Sequence, residues 1–218
     1  MKAMECSRLP GDYKKKARAQ VRLLHASPGT GPVDVFANGE LVAENLTYTE
    51  TAGYFTVKPC TYVIAVYAAG KQKGLLAEAC VEICPNSAVT IAIICPEPDV
   101  CLLAIPENAG VAGVSRLLNG PCRACVRFVH LAPGVPPLTV FTADTTLFCN
   151  VPFKAHTRYR ALAAGFRTFR LKPTGSALPG MTTPEFILEN GMAYTLYAIG
   201  LAGEDTPLTT ILLPDGGY

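Results

Sequence analysis

Apolar residues in this chain recur with a period of two, in short runs broken by Gly, Pro and Asn. That spacing predicts β-strands rather than helices. In TYVIAVYA (61–68), Tyr62, Ile64 and Val66 alternate with Val63, Ala65 and Tyr67. Both sets are apolar, so the run reads as a strand buried on both sides or nearly so. VDVFANGELV sets Asn38–Gly39 between two β-rich runs, and Asn190–Gly191 precedes AYTLYAIG. Asn-Gly is a strong hairpin signal, because a two-residue I′ turn needs positive φ at both central positions.

The runs repeat. Residues 21–36 read VRLLHASPGTGPVDVF and residues 126–141 read VRFVHLAPGVPPLTVF. Val21, Arg22, His25, Pro28, Gly29, Pro32, Val35 and Phe36 recur identically at a constant offset of 105 residues. The register persists to Ala88, Thr90 and Ile94, which fall on Ala193, Thr195 and Ile199. An ungapped register of this length implies a duplicated fold. Each copy holds about seven or eight short strands, as an immunoglobulin-like or transthyretin-like β-sandwich requires. The expected organisation is an N-terminal arm (1–19), a first sandwich (20–106), a small-residue linker (107–121) and a second sandwich (122–218). Within the linker, SRLLNG has room for one helical turn.

Composition agrees with two all-β domains. Half of the 218 residues are hydrophobic, 17% are charged, and Gly (19) and Pro (18) are plentiful enough for many turns. Net charge is only +2, which gives no argument for nucleic acid. Its distribution says more: six basic and two acidic residues in 1–20 leave the rest of the chain at −2. A basic arm is thus joined to a mildly acidic body, and it reads either as a solvated leader or, as the self-assembly expectation requires, as an arm that docks on a neighbouring copy. No secretory leader and no membrane-spanning run is legible, so synthesis in the cytoplasm and display on a cell or spore surface after release is the expectation.

Arg22, His25, Ser27 and Pro28, followed by Val33–Asp34–Val35 and Asn38–Gly39, resemble a bacterial family of unknown function, number forty-three ninety-seven. The second copy matches more loosely, with Ala132 for Ser27 and Thr139 for Asp34. The resemblance implies tandem β-sandwich proteins, typically secreted or on the cell surface, with no established enzymatic activity.

His25, Ser27 and Asp34 invite a hydrolase reading, but no G-x-S-x-G elbow is present. The second copy retains His130 and Pro133 while losing both partners. A structural turn built on His25, Pro28, His130 and Pro133 accounts for the pattern better than catalysis, so no catalytic residue and no cofactor is expected.

Nine cysteines remain: Cys6, Cys60, Cys80, Cys84, Cys95, Cys101, Cys122, Cys125 and Cys149. Few align between the copies, and Cys80 alternates with Glu78 and Glu82 on a polar strand face. Three readings stay open. The first is disulfide cross-linking, in which an odd count leaves one thiol for another chain, with Cys6 on the arm the natural candidate. The second is a zinc site joining Cys80, Cys84, Cys122 and Cys125, and the third is redox chemistry at Cys122 and Cys125. The leading expectation is a non-catalytic subunit that self-assembles into a disulfide-cross-linked filament or coat. A cell-envelope module binding carbohydrate or a surface protein is the rival, and a hydrolase comes third.

Overall fold

The computed structural model describes residues 17–71, 74–95, 99–107, 112–143, 145–176, 180–201 and 207–216. Most of the expected N-terminal arm, Cys6 included, lies outside them. Strands are numbered in chain order. The first domain has one sheet of order β4 (Thr51–Val57), β1 (Ala19–His25), β7 (Ala88–Ile94), β8 (Cys101–Glu107). Its second sheet runs β3 (Glu40–Leu46), β2 (Val33–Ala37), β5 (Thr61–Ala68), β6 (Leu75–Glu82).

The second domain repeats this plan. One sheet runs β12 (Arg160–Ala163), β9 (Arg123–His130), β17 (Ala193–Ile199), β18 (Thr209–Asp215). The other runs β11 (Thr145–Val151), β10 (Leu138–Thr142), β14 (Phe169–Pro173), β15 (Met181–Thr182), with a separate pair β13 (Gly165–Arg167) and β16 (Phe186–Leu188). The chain is therefore all-β, with two tandem sandwich domains. In both copies the first strand pairs in parallel with the long penultimate strand. Val21 lies opposite Val89 and Val126 opposite Tyr194, so the 105-residue offset is carried into the sheet register.

Each domain buries an apolar layer between its own two sheets, with Val21, Leu23, Val33, Val35, Ile64, Val66 and Ile91 in the first. A third apolar layer joins the domains: Leu24, Ala92, Ile94 and Ile105 pack with Val129, Tyr197 and Ile199. The result is a four-layer stack in which β1/β7/β8 and β9/β17/β18 face each other and the β2/β5 and β10/β14 sheets lie outside. This corrects the expectation for 61–68. β5 belongs to an outer sheet, and Val63 on its outward side is 39% exposed. The strands buried on both faces are β7 and β17, in which every residue is buried.

Local chemistry places these strands. The β2–β3 turn uses Asn38 (φ 51°) and Gly39 (φ 84°), the two positive angles that a I′ hairpin needs. Gly53 (φ 95°) sits where the β1–β4 register slips, and a Cβ there would lie 2.7 Å from the Val21 carbonyl oxygen. Only glycine fits that bulge. The linker forms a seven-residue helix, α1 (Ala112–Leu118), rather than a single turn. It closes over β9 through Val114, which packs with Cys125 and Ala193. Among the described residues no helix is long and apolar enough to cross a membrane.

Candidate functional site

The most strongly organised polar group lies in the seam between the domains. Arg22 on β1 is 3% exposed and Arg127 on β9 is 1% exposed, with Glu107 and Asp215 equally buried. Arg22 Nε donates to Thr90 Oγ1 at 3.1 Å, and Arg127 Nε donates to Thr195 Oγ1 at 2.7 Å. Thr90 and Thr195 in turn donate to Glu107 and Asp215. Tyr54 and Tyr159 complete the two clusters. Their hydroxyls donate to Glu107 at 2.7 Å and to Asp215 at 2.6 Å, and each ring lies beneath its arginine. Burial pushes both phenols well above their ordinary pKa, so they act as donors.

Each arginine also crosses the seam. Arg22 Nη1 donates to the Pro214 carbonyl at 2.7 Å, and Arg127 Nη1 donates to the Pro106 carbonyl at 2.6 Å. Arg22 Nη2 bridges the two acids, 3.0 Å from both Glu107 and Asp215. Two positive and two negative side chains are thus paired out of water, the condition under which buried charge is tolerated. The cluster is closed to solute and clamps one domain to the other. Arg22/Arg127, Thr90/Thr195 and Tyr54/Tyr159 keep the 105-residue offset, whereas Glu107/Asp215 stand 108 apart. That slip hides the acids from an ungapped comparison.

The histidines end β1 and β9, and both are fully buried. His25 Nδ1 accepts the Ser27 N–H at 3.3 Å, so Nε2 carries the proton and faces the Gly31 carbonyl at 2.9 Å. His130 repeats this with the Ala132 N–H at 3.2 Å and the Pro136 carbonyl at 3.3 Å. Pro28 and Pro133 lie inside the loops so closed. Burial lowers both imidazole pKa values and keeps the rings neutral. The suspected triad does not assemble. Ser27 Oγ bonds Thr30, and the Asp34 carboxylate accepts the N–H groups of Asn45 and Gly70 at 2.8 and 2.9 Å.

Among the described residues seven thiols are free: Cys60, Cys80, Cys95, Cys101, Cys122, Cys125 and Cys149. Cys84 is not among them. The four-cysteine zinc arrangement does not form, since no three metal-ligating side chains cluster among the described residues. Cys122 is exposed in the turn before β9, whereas Cys125 is buried under α1 and burial raises its thiol pKa. Cys60, Cys80 and Cys149 are also exposed.

The outer sheet of the first domain presents a different surface. Val63 faces Cys80, and Ala65 faces Glu78, across β5 and β6. Phe36 and Tyr67 meet edge to face at 5.4 Å. With Asn38, Val63 and Glu78 they line a shallow depression of about 560 Å³. Leu41 and Leu75, 49% and 51% exposed, extend the apolar surface. In the second domain Phe166 and Ile187 lie opposite each other on β13 and β16, 62% and 59% exposed. Sequence reasoning singled out Cys80 on this surface but missed the depression, because β5 read as buried on both sides or nearly so.

A family model described as a domain of unknown function (DUF4397) matches residues 19–116 and again 124–217. The chain belongs to that family. Two DUF4397 domains thus coincide with the two sandwiches. No curated protein matches the chain in sequence. Among solved structures, one similar chain is CBMbc, a family CBM26 module of Amy13K from Eubacterium rectale, solved in complex with maltoheptaose. It is 8% identical, with 91% of this chain and 97% of that one covered and a TM-score of 0.28. Another is a putative cell adhesion protein from Parabacteroides distasonis, 10% identical, with 91% and 99% covered and a TM-score of 0.24.

Proposed function

We propose that this chain is a non-catalytic structural subunit that self-assembles on a cell or spore surface. The observation that carries this reading is the large apolar side chains left in solvent on both domains: Leu41, Val63 and Leu75 on one, Phe166 and Ile187 on the other. Contiguous exposed apolar surface of this kind marks interaction sites. The polar groups suited to chemistry are meanwhile engaged in structure, the histidines in loops and the arginines and acids in the seam. The clamped seam suits a subunit that must carry load without domain motion. Exposed Cys60, Cys80, Cys122 and Cys149 supply thiols for cross-links once an external oxidant is met. The expected arm contact lies outside the described residues and carries none of this reading.

Sedimentation velocity over a hundredfold concentration range, with and without reductant, tests it. Species that grow with concentration are expected, and a monomer throughout overturns the proposal. A second reading, a carbohydrate-binding module, is favoured by the depression with its Phe36–Tyr67 pair, Asn38 and Glu78. Saturable binding on a glycan array by a strictly monomeric chain, abolished by Tyr67→Ala, would put that reading first.

A further inference from the structure

The outer sheets of the two domains carry opposite charge. Strands β2, β3, β5 and β6 contain Asp34, Glu40, Glu44, Glu78 and Glu82 and no basic residue. Strands β10, β11, β14 and β15 contain Arg170 and Lys172 and no acidic one. Arg170 stands at the position of Ala65, and Lys172 at that of Tyr67, one repeat earlier. Both are exposed and alternate with buried Phe169 and Leu171, so they point away from the core. Phe166 on β13 and Ile187 on β16 stand exposed at the end of this face. Lys71 in the β5–β6 turn and Glu185 between β15 and β16 each offset one charge at an edge.

We propose that the acidic outer sheet of the first domain docks on the basic outer sheet of the second domain of another copy. The proposal rests on the self-assembly reading and names its contact. Two acidic faces repel, and so do two basic ones, so the symmetric dimers that a shared apolar surface would otherwise allow are disfavoured. The acidic–basic match is attractive, and both surfaces offer apolar side chains to bury at its centre. The seam holds these sheets on opposite sides of the four-layer stack, out of each other's reach. The contact therefore joins one chain to the next, and each added copy leaves one face of each sign open. Such head-to-tail contacts propagate into open polymers.

Charge exchange tests the pairing. Glu40→Lys/Glu44→Lys/Glu78→Lys/Glu82→Lys leaves only Asp34 acidic and makes both outer sheets basic, and Arg170→Glu/Lys172→Glu makes both acidic. All six positions are exposed, and circular dichroism with a melting curve confirms the fold of each variant. By sedimentation velocity, the wild type assembles and loses assembly as salt is raised from 0.15 to 1 M. Each variant alone associates at least about tenfold more weakly, and an equimolar mixture regains assembly as an alternating polymer. If the wild type assembles but both variants assemble undiminished, or their mixture stays dissociated, this pairing is overturned while self-assembly stands. A wild type that remains monomeric at every concentration and salt overturns both.

Discussion

The two domains share a skeleton and differ in how it is filled. Where the second domain has Phe128, Phe148 and Phe169 in one core cluster, the first has Leu23, Ala43 and Ile64 at the same repeat positions. The first domain has an apolar hollow of about 50 Å³, bounded by Leu23, Phe55, Val57, Tyr62, Ile64 and Ile83. The sides of the two domains that meet in the seam are instead near copies: arginine over tyrosine, threonine between arginine and acid, histidine at the strand end. The duplication therefore kept the surface by which the copies hold each other. Their interiors, outer faces and thiols diverged. A tandem protein built this way has one constrained side and two free ones.

Breaking the retained side is expected to have the largest effect. Arg22→Met leaves Glu107 and Asp215 without the side chain that bridges them, a loss of about 3–5 kcal/mol by urea titration. Arg127→Met is expected to cost less. Arg127 approaches Asp215 only at 3.5 Å, and its Nη2 is an unpartnered buried donor among the described residues. Equal losses from the two arginines would show that the asymmetry of the clamp has no energetic weight.

The cores give the next contrast. Phe148→Ala empties a packed site and is expected to cost about 3–5 kcal/mol, whereas residue 43 is already alanine in the first domain. Leu23→Phe goes the other way. It enlarges a residue that lines the hollow, so it is expected to be neutral or to stabilise by up to about 1 kcal/mol. A loss of about 2 kcal/mol or more from Leu23→Phe, read from the same titration, would mean that the first core is as full as the second.

Much of this organisation was legible in the residues. Period-two runs, the Asn38–Gly39 turn and the 105-residue offset give the strands, one hairpin and the duplication, because each is a local or strictly periodic signal. The four-layer stack was not legible. A run such as TYVIAVYA is apolar on both sides whether the second side meets another domain or solvent, and periodicity cannot tell these apart. The seam was half visible: Arg22, Thr90 and their counterparts repeat in register, but the acids that pair with them slip by three residues. Charge segregation between the outer sheets is present in the composition of eight strands, yet it appears only once topology states which strands share a sheet.

The smallest predicted effect concerns the retained histidines, and pH is the lever. Burial holds the folded-state pKa values of His25 and His130 below the unfolded value of about 6.5, while the unfolded chain takes up protons normally. Their contribution to stability is therefore complete above about pH 6.5 and is lost as pH falls through the folded-state values. The Gly31 carbonyl and Glu50 oppose part of the shift at His25, and the Pro136 and Val135 carbonyls oppose part of it at His130. His156, lowered by burial and by Arg127, adds to the same trend. Urea midpoints at pH 7.5 and 5.5 should fall on acidification in the wild type. The fall should shrink in His25→Asn and in His130→Asn, and most in the double variant. A double variant that keeps the full pH dependence would assign it to carboxylates elsewhere and leave the histidines only their role in closing the loops.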